Sequence, residues 1–120
     1  MLRMRPFQDG DQFPGFCPKP GQGLYFIALE ETKLVGYCRW RLMPGKITIE
    51  EVEDSGDPLV FDGLVRGVLS IASDQGIDRA VFSREIRADR LATSQIPVNG
   101  ENVLISIEYF LENCKMCKKF

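Results

Sequence analysis

Residues 24–52 read LYFIALEETKLVGYCRWRLMPGKITIEEV, and this stretch decides the fold. Three of its segments, residues 24–29, 34–42 and 46–52, favour β-structure and predict strands. Polar residues separate the first two strands, and Pro44-Gly45 suits the central positions of a type II turn before the third. Strands joined by such short turns pair with one another, so the stretch predicts an antiparallel meander.

A long helix is predicted after the meander, over residues 60–75, because apolar residues recur there at spacings of three and four. Gly76 suits the C-terminal end of this helix, and residues 78–83 predict a further strand. A strand, a helix and a strand in this order imply a right-handed crossover and a parallel pair of strands. The apolar positions of the helix are Val60, Leu64, Val65, Val68, Leu69, Ile71 and Ala72.

The first part of the chain is less regular. Residues 2–5 predict a short strand that ends at Pro6, whereas the prolines and glycines of residues 8–23 predict a loop. Three residues are expected to fix that loop to the core: Phe13, Phe16 and Cys17.

Near the other end of the chain, residues 86–93 predict a short helix and residues 103–105 a strand. Ser106 suits the N-cap of a helix over residues 107–117, whose apolar residues share one face. A strand stays open as the alternative, because apolar residues also alternate in this segment: Ile105, Ile107, Tyr109 and Leu111.

The composition is that of an ordinary globular domain, with 120 residues, 44% of them apolar and 27% charged. A net charge of −2 argues against binding to nucleic acid, which calls for a basic surface. No apolar run approaches the roughly 20 residues that span a bilayer, and the first residues lack the apolar stretch of a signal peptide. The sequence therefore predicts no membrane contact and a cytoplasmic location. Histidine is absent, which excludes Ser–His and Cys–His nucleophiles.

Residues 24–82 resemble the GCN5-related N-acetyltransferase (GNAT) superfamily in the order of their predicted elements and in their sequence pattern. Residues 26–28 and 33–37 read FIA and KLVGY, and such text is typical of the family's second and third strands. The acidic strand that ends at Val52 and the long helix that ends at Gly76 follow in the family's order. The segment Arg5-Pro6-Phe7, followed by Asp9, is similar to the family's first strand and its exit.

This resemblance implies an α+β (α/β-type) fold, in which a mixed, mainly antiparallel sheet contains one strand–helix–strand crossover. We expect a single domain over residues 1–120. Residues 1–23 supply a strand and a Pro/Gly-rich loop, residues 24–83 the best-matching core, and residues 84–120 a divergent C-terminal part. The family has two helices between its first and second strands, and residues 12–23 are too short and too rich in proline to form them.

In the family, an Arg or Gln followed by Gly-x-Gly or Gly-x-Ala offers backbone N–H groups to the coenzyme A pyrophosphate at the start of the long helix. Aligned backwards from Gly76, these positions fall on Gly56, Leu59 and Phe61. Leu and Phe crowd the place where backbone must meet phosphate. Residues 47–65 contain no Lys or Arg, but they contain Glu50, Glu51, Glu53, Asp54, Asp57 and Asp62. The resemblance therefore predicts a degenerate phosphate loop, because these carboxylates repel an anion.

The same acidic strand carries the candidates for chemistry, since the family often has its general base there. Glu51 and Glu53 are the candidate bases, and regular alternation would place both on the face of Ile47 and Ile49, with Glu50 on the other. A solvated acidic edge is the alternative. The resemblance also implies that the backbone near Val52 would pair with the pantetheine arm of the coenzyme.

Three further features have structural or chemical interpretations. Tyr109 would substitute for the family's general-acid tyrosine. Arg84, Arg87 and Arg90 have helical spacing and form either a cationic stripe or a solvated helix face. A lone CxxC at Cys114 and Cys117 is a weak metal signature, so reduced structural thiols and no metal are expected. A four-thiolate zinc site with Cys17 and Cys38, or a disulfide, is the alternative.

Taken with the resemblance, the sequence predicts a GNAT-like domain with a degraded acetyl coenzyme A (acetyl-CoA) site. Such a domain would act as a binding or interaction module for a small molecule or a protein partner. The alternative is a small N-acetyltransferase that uses acetyl-CoA as its cofactor and acts on an amine.

Overall fold

The computed structural model describes residues 2–18, 21 and 23–112, and within them it contains six strands and three helices. The strands are β1 (Leu2–Pro6), β2 (Leu24–Glu30), β3 (Lys33–Met43), β4 (Lys46–Glu53), β5 (Ala80–Phe82) and β6 (Val103–Leu104). The helices are α1 (Pro58–Asp74), α2 (Ala88–Thr93) and α3 (Ile107–Glu112). One sheet contains the strands in chain order. Strands β4 and β5 are parallel and the other neighbours antiparallel, which confirms the predicted mixed sheet with its crossover.

Strands β3 and β4 are joined by the predicted two-residue turn. Met43 pairs with Lys46, and Pro44 and Gly45 lie between them. Gly45 has a φ of 76°, a conformation that glycine adopts without steric cost.

Helix α1 has a signal at each end. The side chain of Asp57 accepts the N–H of Leu59, and Pro58 occupies the first helical position, where no N–H is needed. At the other end, Gly76 donates to the carbonyl of Ser73 and Ile77 to that of Ala72, both at 3.0 Å. These two bonds form a Schellman motif, so the predicted stop at Gly76 is confirmed.

The apolar side of α1 packs on one face of the sheet. Six of its predicted apolar positions are buried: Val60, Leu64, Val65, Val68, Leu69 and Ala72. Ile71 is partly buried against the same core. The sheet contributes Phe26, Ala28, Cys38, Trp40, Ile47 and Ile49 to this core. Phe61, which the alignment placed at the phosphate loop, is also buried there.

The loop after β1 covers part of the opposite face of the sheet. The ring of Phe16 lies 5.3 Å from that of Tyr25 and 5.0 Å from that of Tyr37, between centroids. Phe16 therefore fixes the loop, as predicted. The expectation for Cys17 was wrong, because this residue is exposed.

The last described elements follow the prediction with shifted limits. Helix α2 begins at Ala88 instead of residue 86. Tyr109 donates its N–H to Oγ of Ser106 at 3.1 Å, so Ser106 is the predicted N-cap of α3. The strand alternative is wrong for residues 107–112. Residues 113–120, with Cys114, Cys117 and the rest of the predicted helix, lie outside the described residues. No helix in the described part of the chain has the length and apolarity to cross a membrane.

Candidate functional site

Strand β4 contains a bulge at Glu50. Glu51 pairs with Arg39 and Ile49 with Trp40, so Glu50 is an extra residue on β4 with no counterpart on β3. A bulge of this kind bends its strand and breaks the alternation of side chains between the two faces.

The bulge overturns the predicted faces of the acidic residues. Beyond it, Glu51 pairs with Arg39 and Glu53 with Tyr37. Glu51 also contacts the side chains of both these β3 residues. Glu51 and Glu53 therefore lie on the face opposite to Ile47 and Ile49, whose side chains are buried under α1. The prediction of a shared face was wrong because it assumed that alternation continues through Glu50.

Arginines of β3 neutralise much of this acidic segment. Glu50 Oε1 lies 3.3 Å from Nη1 of Arg39 and 3.2 Å from Nε of Arg41. Glu51 Oε1 lies 3.3 Å from Nε of Arg39, and its Oε2 accepts the hydroxyl of Tyr37 at 3.0 Å. The Glu51 side chain still has 43% of its surface exposed, so it can meet a ligand or water.

Tyr37 serves as a fixed hydrogen-bond donor in this network. Burial raises the pKa of Tyr37 to about 12, and the hydrogen bond to Glu51 and the negative charges of Glu51 and Glu53 act in the same direction. The phenol therefore stays protonated at neutral pH and holds one oxygen of the Glu51 carboxylate in place.

A cavity opens where β4 and β5 separate. Their pairing ends at Ile49 and Phe82, and the last bond across the seam runs from the N–H of Ser83 to the carbonyl of Ile49 at 2.9 Å. Beyond this point no described strand pairs with that edge of β4. The cavity there has a volume of about 240 Å³. Its walls include Glu51, Val52, Phe61, Glu85, Ile86 and Arg90.

This seam cavity brings together two of the three residues singled out from the sequence. Glu51 and Val52 line it, whereas Glu53 is not among its lining residues. Tyr109 lies against another cavity, which the segment from Pro97 to Ser106 lines. The geometry therefore does not place Tyr109 beside Glu51.

Around the junction of β4 and α1, backbone N–H groups form hydrogen bonds with carboxylates that lie close by in the sequence. Three N–H groups each donate to a carboxylate of the same segment: Ser55 to Glu53 Oε1 at 2.9 Å, Gly56 to Asp54 Oδ1 at 3.0 Å and Leu59 to Asp57 Oδ1 at 2.9 Å. Pro58 has no N–H. The N–H of Asp57 donates to the carbonyl of Asp54 at 3.0 Å. Carboxylates of this chain thus occupy donors that a phosphate would need.

A cation also reaches this segment, from α2. Asp54 is only 4% exposed and forms an ion pair with Arg90. The guanidinium carbon of Arg90 lies 4.5 Å from the centroid of the Phe61 ring. The acidic segment therefore carries less net negative charge than its sequence suggests, because the packing of α2 brings Arg90 against it.

The three arginines that were expected to form a cationic stripe or a solvated helix face do not share one helix. Arg84 and Arg87 precede α2, which begins at Ala88. Arg87 pairs with Asp89 at 3.0 Å on the surface, whereas Arg90 forms its ion pair with the buried Asp54. The helical spacing was misleading because only Arg90 lies within the helix.

The two described cysteines are free thiols that differ in burial. Cys17 is exposed and Cys38 is buried. Burial, with a smaller contribution from the charge of Glu51, raises the pKa of the Cys38 thiol. Among the described residues no group of three or more metal-binding side chains occurs. Cys114 and Cys117 lie outside them.

No model of a known protein family matches the sequence, and no curated protein matches it either. The fold, however, matches solved structures. A GNAT family acetyltransferase from Elizabethkingia anophelis, with acetyl-CoA bound, superposes with a TM-score of 0.62 at 13% identity, over 78% of this chain and 72% of that one. The chain has the GNAT fold. A ribosomal-protein-alanine N-acetyltransferase from Escherichia coli gives 0.59 at 12% identity, over 79% and 75% of the two chains.

A third solved structure with this fold contains coenzyme A. The PaiA N-acetyltransferase from Thermoplasma acidophilum, in complex with coenzyme A, gives a TM-score of 0.51 at 10% identity, over 66% of this chain and 56% of that one. The GNAT assignment made from residues 24–82 is therefore correct at the level of the fold.

Proposed function

We propose that this chain is a GNAT-fold binding domain that does not hold acetyl-CoA by its pyrophosphate. The observation that carries the proposal is the self-bonded segment before α1, where Ser55, Gly56 and Leu59 donate their N–H groups to carboxylates of the chain. An anion bound at a helix start needs such donors to be free and needs no negative charge beside them. Here each donor already has a charged acceptor.

Side-chain size supports the same proposal. Leu59 and Phe61 stand where the family has small residues that let backbone approach phosphate. Leu59 is 73% exposed and Phe61 is buried against the core, so Leu59 projects beside the helix start while Phe61 fills space beneath it. We infer that the phosphate loop is degenerate.

The seam cavity remains as the place for a ligand or partner of this module. It combines apolar walls, supplied by Val52, Phe61 and Ile86, with charged residues of both signs, among them Glu51, Glu85 and Arg90. Polar groups that converge in a recess with apolar walls orient the ligand in small-molecule sites. A small molecule with one basic group suits it best, because Glu51 presents an acceptor that Tyr37 holds in position.

A second candidate function is N-acetyl transfer to an amine. The partly exposed Glu51 carboxylate at the open seam favours it, since a carboxylate there would take a proton from an amine directly or through water. The coenzyme seen with the Elizabethkingia protein and the coenzyme A seen with the Thermoplasma protein give this candidate its precedent.

Calorimetric titration with acetyl-CoA tests the proposal. We expect a dissociation constant of about a millimolar or weaker, which corresponds to about −4 kcal/mol. The Elizabethkingia protein, which crystallised with acetyl-CoA bound, is the positive control. Micromolar binding together with acetyl transfer to any amine would establish the enzyme instead. In that case Glu51→Gln is the variant to measure next.

A further inference from the structure

We propose that Asp54 is the residue that excludes anionic ligands from the space between α1 and α2, by holding Arg90 in an internal ion pair. The inference rests on the proposed function, because it assigns the loss of pyrophosphate binding to one side chain. It goes further because it predicts that one substitution, at Asp54, restores anion binding.

The Asp54 carboxylate has the contacts that a bound phosphate group would have. Its Oδ1 accepts the backbone N–H of Gly56 at 3.0 Å, and its Oδ2 pairs with Nη2 of Arg90. A backbone N–H near a helix start together with a guanidinium is a common set of donors for an anion. The side chain is only 6% exposed, so its oxygens contact these protein partners more than they contact water.

Arg90 is the donor for which a ligand would compete. Its guanidinium carbon lies 4.5 Å from the centroid of the buried Phe61 ring, and 38% of its side chain remains exposed. The ring holds the guanidinium on one side and Asp54 on the other. Arg90 is therefore fixed in position and still reachable from solvent.

Two cavities meet at Phe61 and Arg90. The seam cavity, of about 240 Å³, and a second one of about 340 Å³ beside Gly56 and Pro58 both have Phe61 and Arg90 in their walls. An anion that enters from either side reaches the same guanidinium. It must then displace a carboxylate that is tethered beside that guanidinium, and a tethered group competes at a high effective concentration.

A second ion pair of the same kind provides the matched control. Asp62 and Arg66 pair at 2.8 Å on α1. Neither residue lines the seam cavity or the cavity beside Gly56. Replacing Asp62 by Asn changes the net charge as replacing Asp54 does, but it removes the carboxylate partner of an arginine that lines neither cavity.

The test measures binding of inorganic pyrophosphate to folded variants by calorimetry. We expect at least tenfold tighter binding for Asp54→Asn than for the wild type. Asp54→Ala should bind more tightly still, because it also frees the N–H of Gly56. The gain should disappear in the double variant Asp54→Asn/Arg90→Gln. An equal gain in Asp62→Asn, or no gain in folded Asp54 variants, would overturn the proposal.

The wild type supplies a measurement that needs no substitution. In a ¹⁵N spectrum, millimolar pyrophosphate should leave the amide signal of Gly56 in place, because Asp54 occupies that donor. A shift of this signal would overturn the inference even where the variants fail to fold. The proposed function fails separately, through micromolar binding of acetyl-CoA to the wild type. If that binding occurs without any effect of pyrophosphate at Gly56, the role of Asp54 stands.

Discussion

The guanidinium carbon of Arg66 lies 4.7 Å from the centroid of the Phe110 ring, and this contact joins α1 to α3. The same guanidinium pairs with Asp62 at 2.8 Å and donates to the carbonyl of Ser94 at 3.0 Å. One side chain of α1 thus holds the segment after α2 and the start of α3. Arg66 therefore adds polar and cation–π contacts to the apolar packing of the C-terminal part on the core.

We expect Arg66→Leu to lower the free energy of unfolding by about 1–3 kcal/mol, because it removes the bond to a buried carbonyl and leaves Asp62 unpaired. A double-mutant cycle with Phe110→Leu isolates the cation–π contact and should give a coupling of about 0.5–2 kcal/mol. Urea unfolding measures each variant. Additive effects of the two substitutions would show that the contact contributes nothing.

Helix α1 offers a comparison of two leucines that differ in burial. Leu64 is 0% exposed and Leu59 is 73% exposed. Leu64→Ala should cost about 2–5 kcal/mol of stability through lost burial and a cavity. Leu59→Ala should change stability by no more than about 0.5 kcal/mol. A cost at Leu64 as small as that at Leu59 would contradict the packing of α1 on the sheet.

Much of the fold could be predicted because its signals are local. The three strands of the meander and α1 have periodic apolar residues, and Pro44-Gly45 and Gly76 mark where elements end. The face of the candidate base was not predictable in this way. The pairing of Glu51 with Arg39, one residue out of step with Ile49 and Trp40, depends on a partner strand and leaves no mark in the sequence of β4.

The charge around the site also could not be predicted from neighbouring residues in the sequence. Counting charges over residues 47–65 shows only acids, but the structure supplies Arg39 and Arg41 from β3 and Arg90 from α2. Arg39 alternates with buried Cys38 and Trp40, which hints that it faces away from α1. No pattern in the sequence connects Arg90 to Asp54, because the two are brought together only by the packing of α2.

Glycine 36 provides a test of the closeness between β3 and α1. A Cβ built on Gly36 would lie 2.6 Å from the carbonyl oxygen of Glu53 and 2.7 Å from a methyl of Val60. Gly36→Ala should therefore cost about 1–3 kcal/mol, since backbone on one side and a buried helix on the other must move. Gly100→Ala is the control, because nothing lies within 4 Å of its Cβ. Equal thermal stability of the two variants would show that β3 and α1 are less closely packed.

Two neighbouring groups of β3 make the stability of the fold depend on alkaline pH. Tyr37 and Cys38 both have a raised pKa in the folded chain, Tyr37 about 12 against an ordinary 10.0, and Cys38 above its ordinary 9.0. The unfolded chain therefore releases these protons at lower pH than the folded chain does. Their contribution to stability is complete below pH 9 and is lost as the pH rises, first through Cys38 and then through Tyr37 between pH 10 and 12.

Urea unfolding at a series of pH values from 8 to 11 measures this loss, and matched variants assign it. In Tyr37→Phe, the free energy of unfolding should fall less steeply above pH 10 than in the wild type. The fall that begins near pH 9 should remain, because it comes from Cys38. Cys38→Ala should remove the fall that begins near pH 9 and keep the steeper fall above pH 10. The substitution also lowers stability through lost core packing, but this cost is the same at every pH. The slope with pH is the readout, since it counts protons and is unaffected by that constant cost. A decline of the same slope in the wild type and in Tyr37→Phe above pH 10 would show that the phenol is no harder to ionise in the fold than in the unfolded chain.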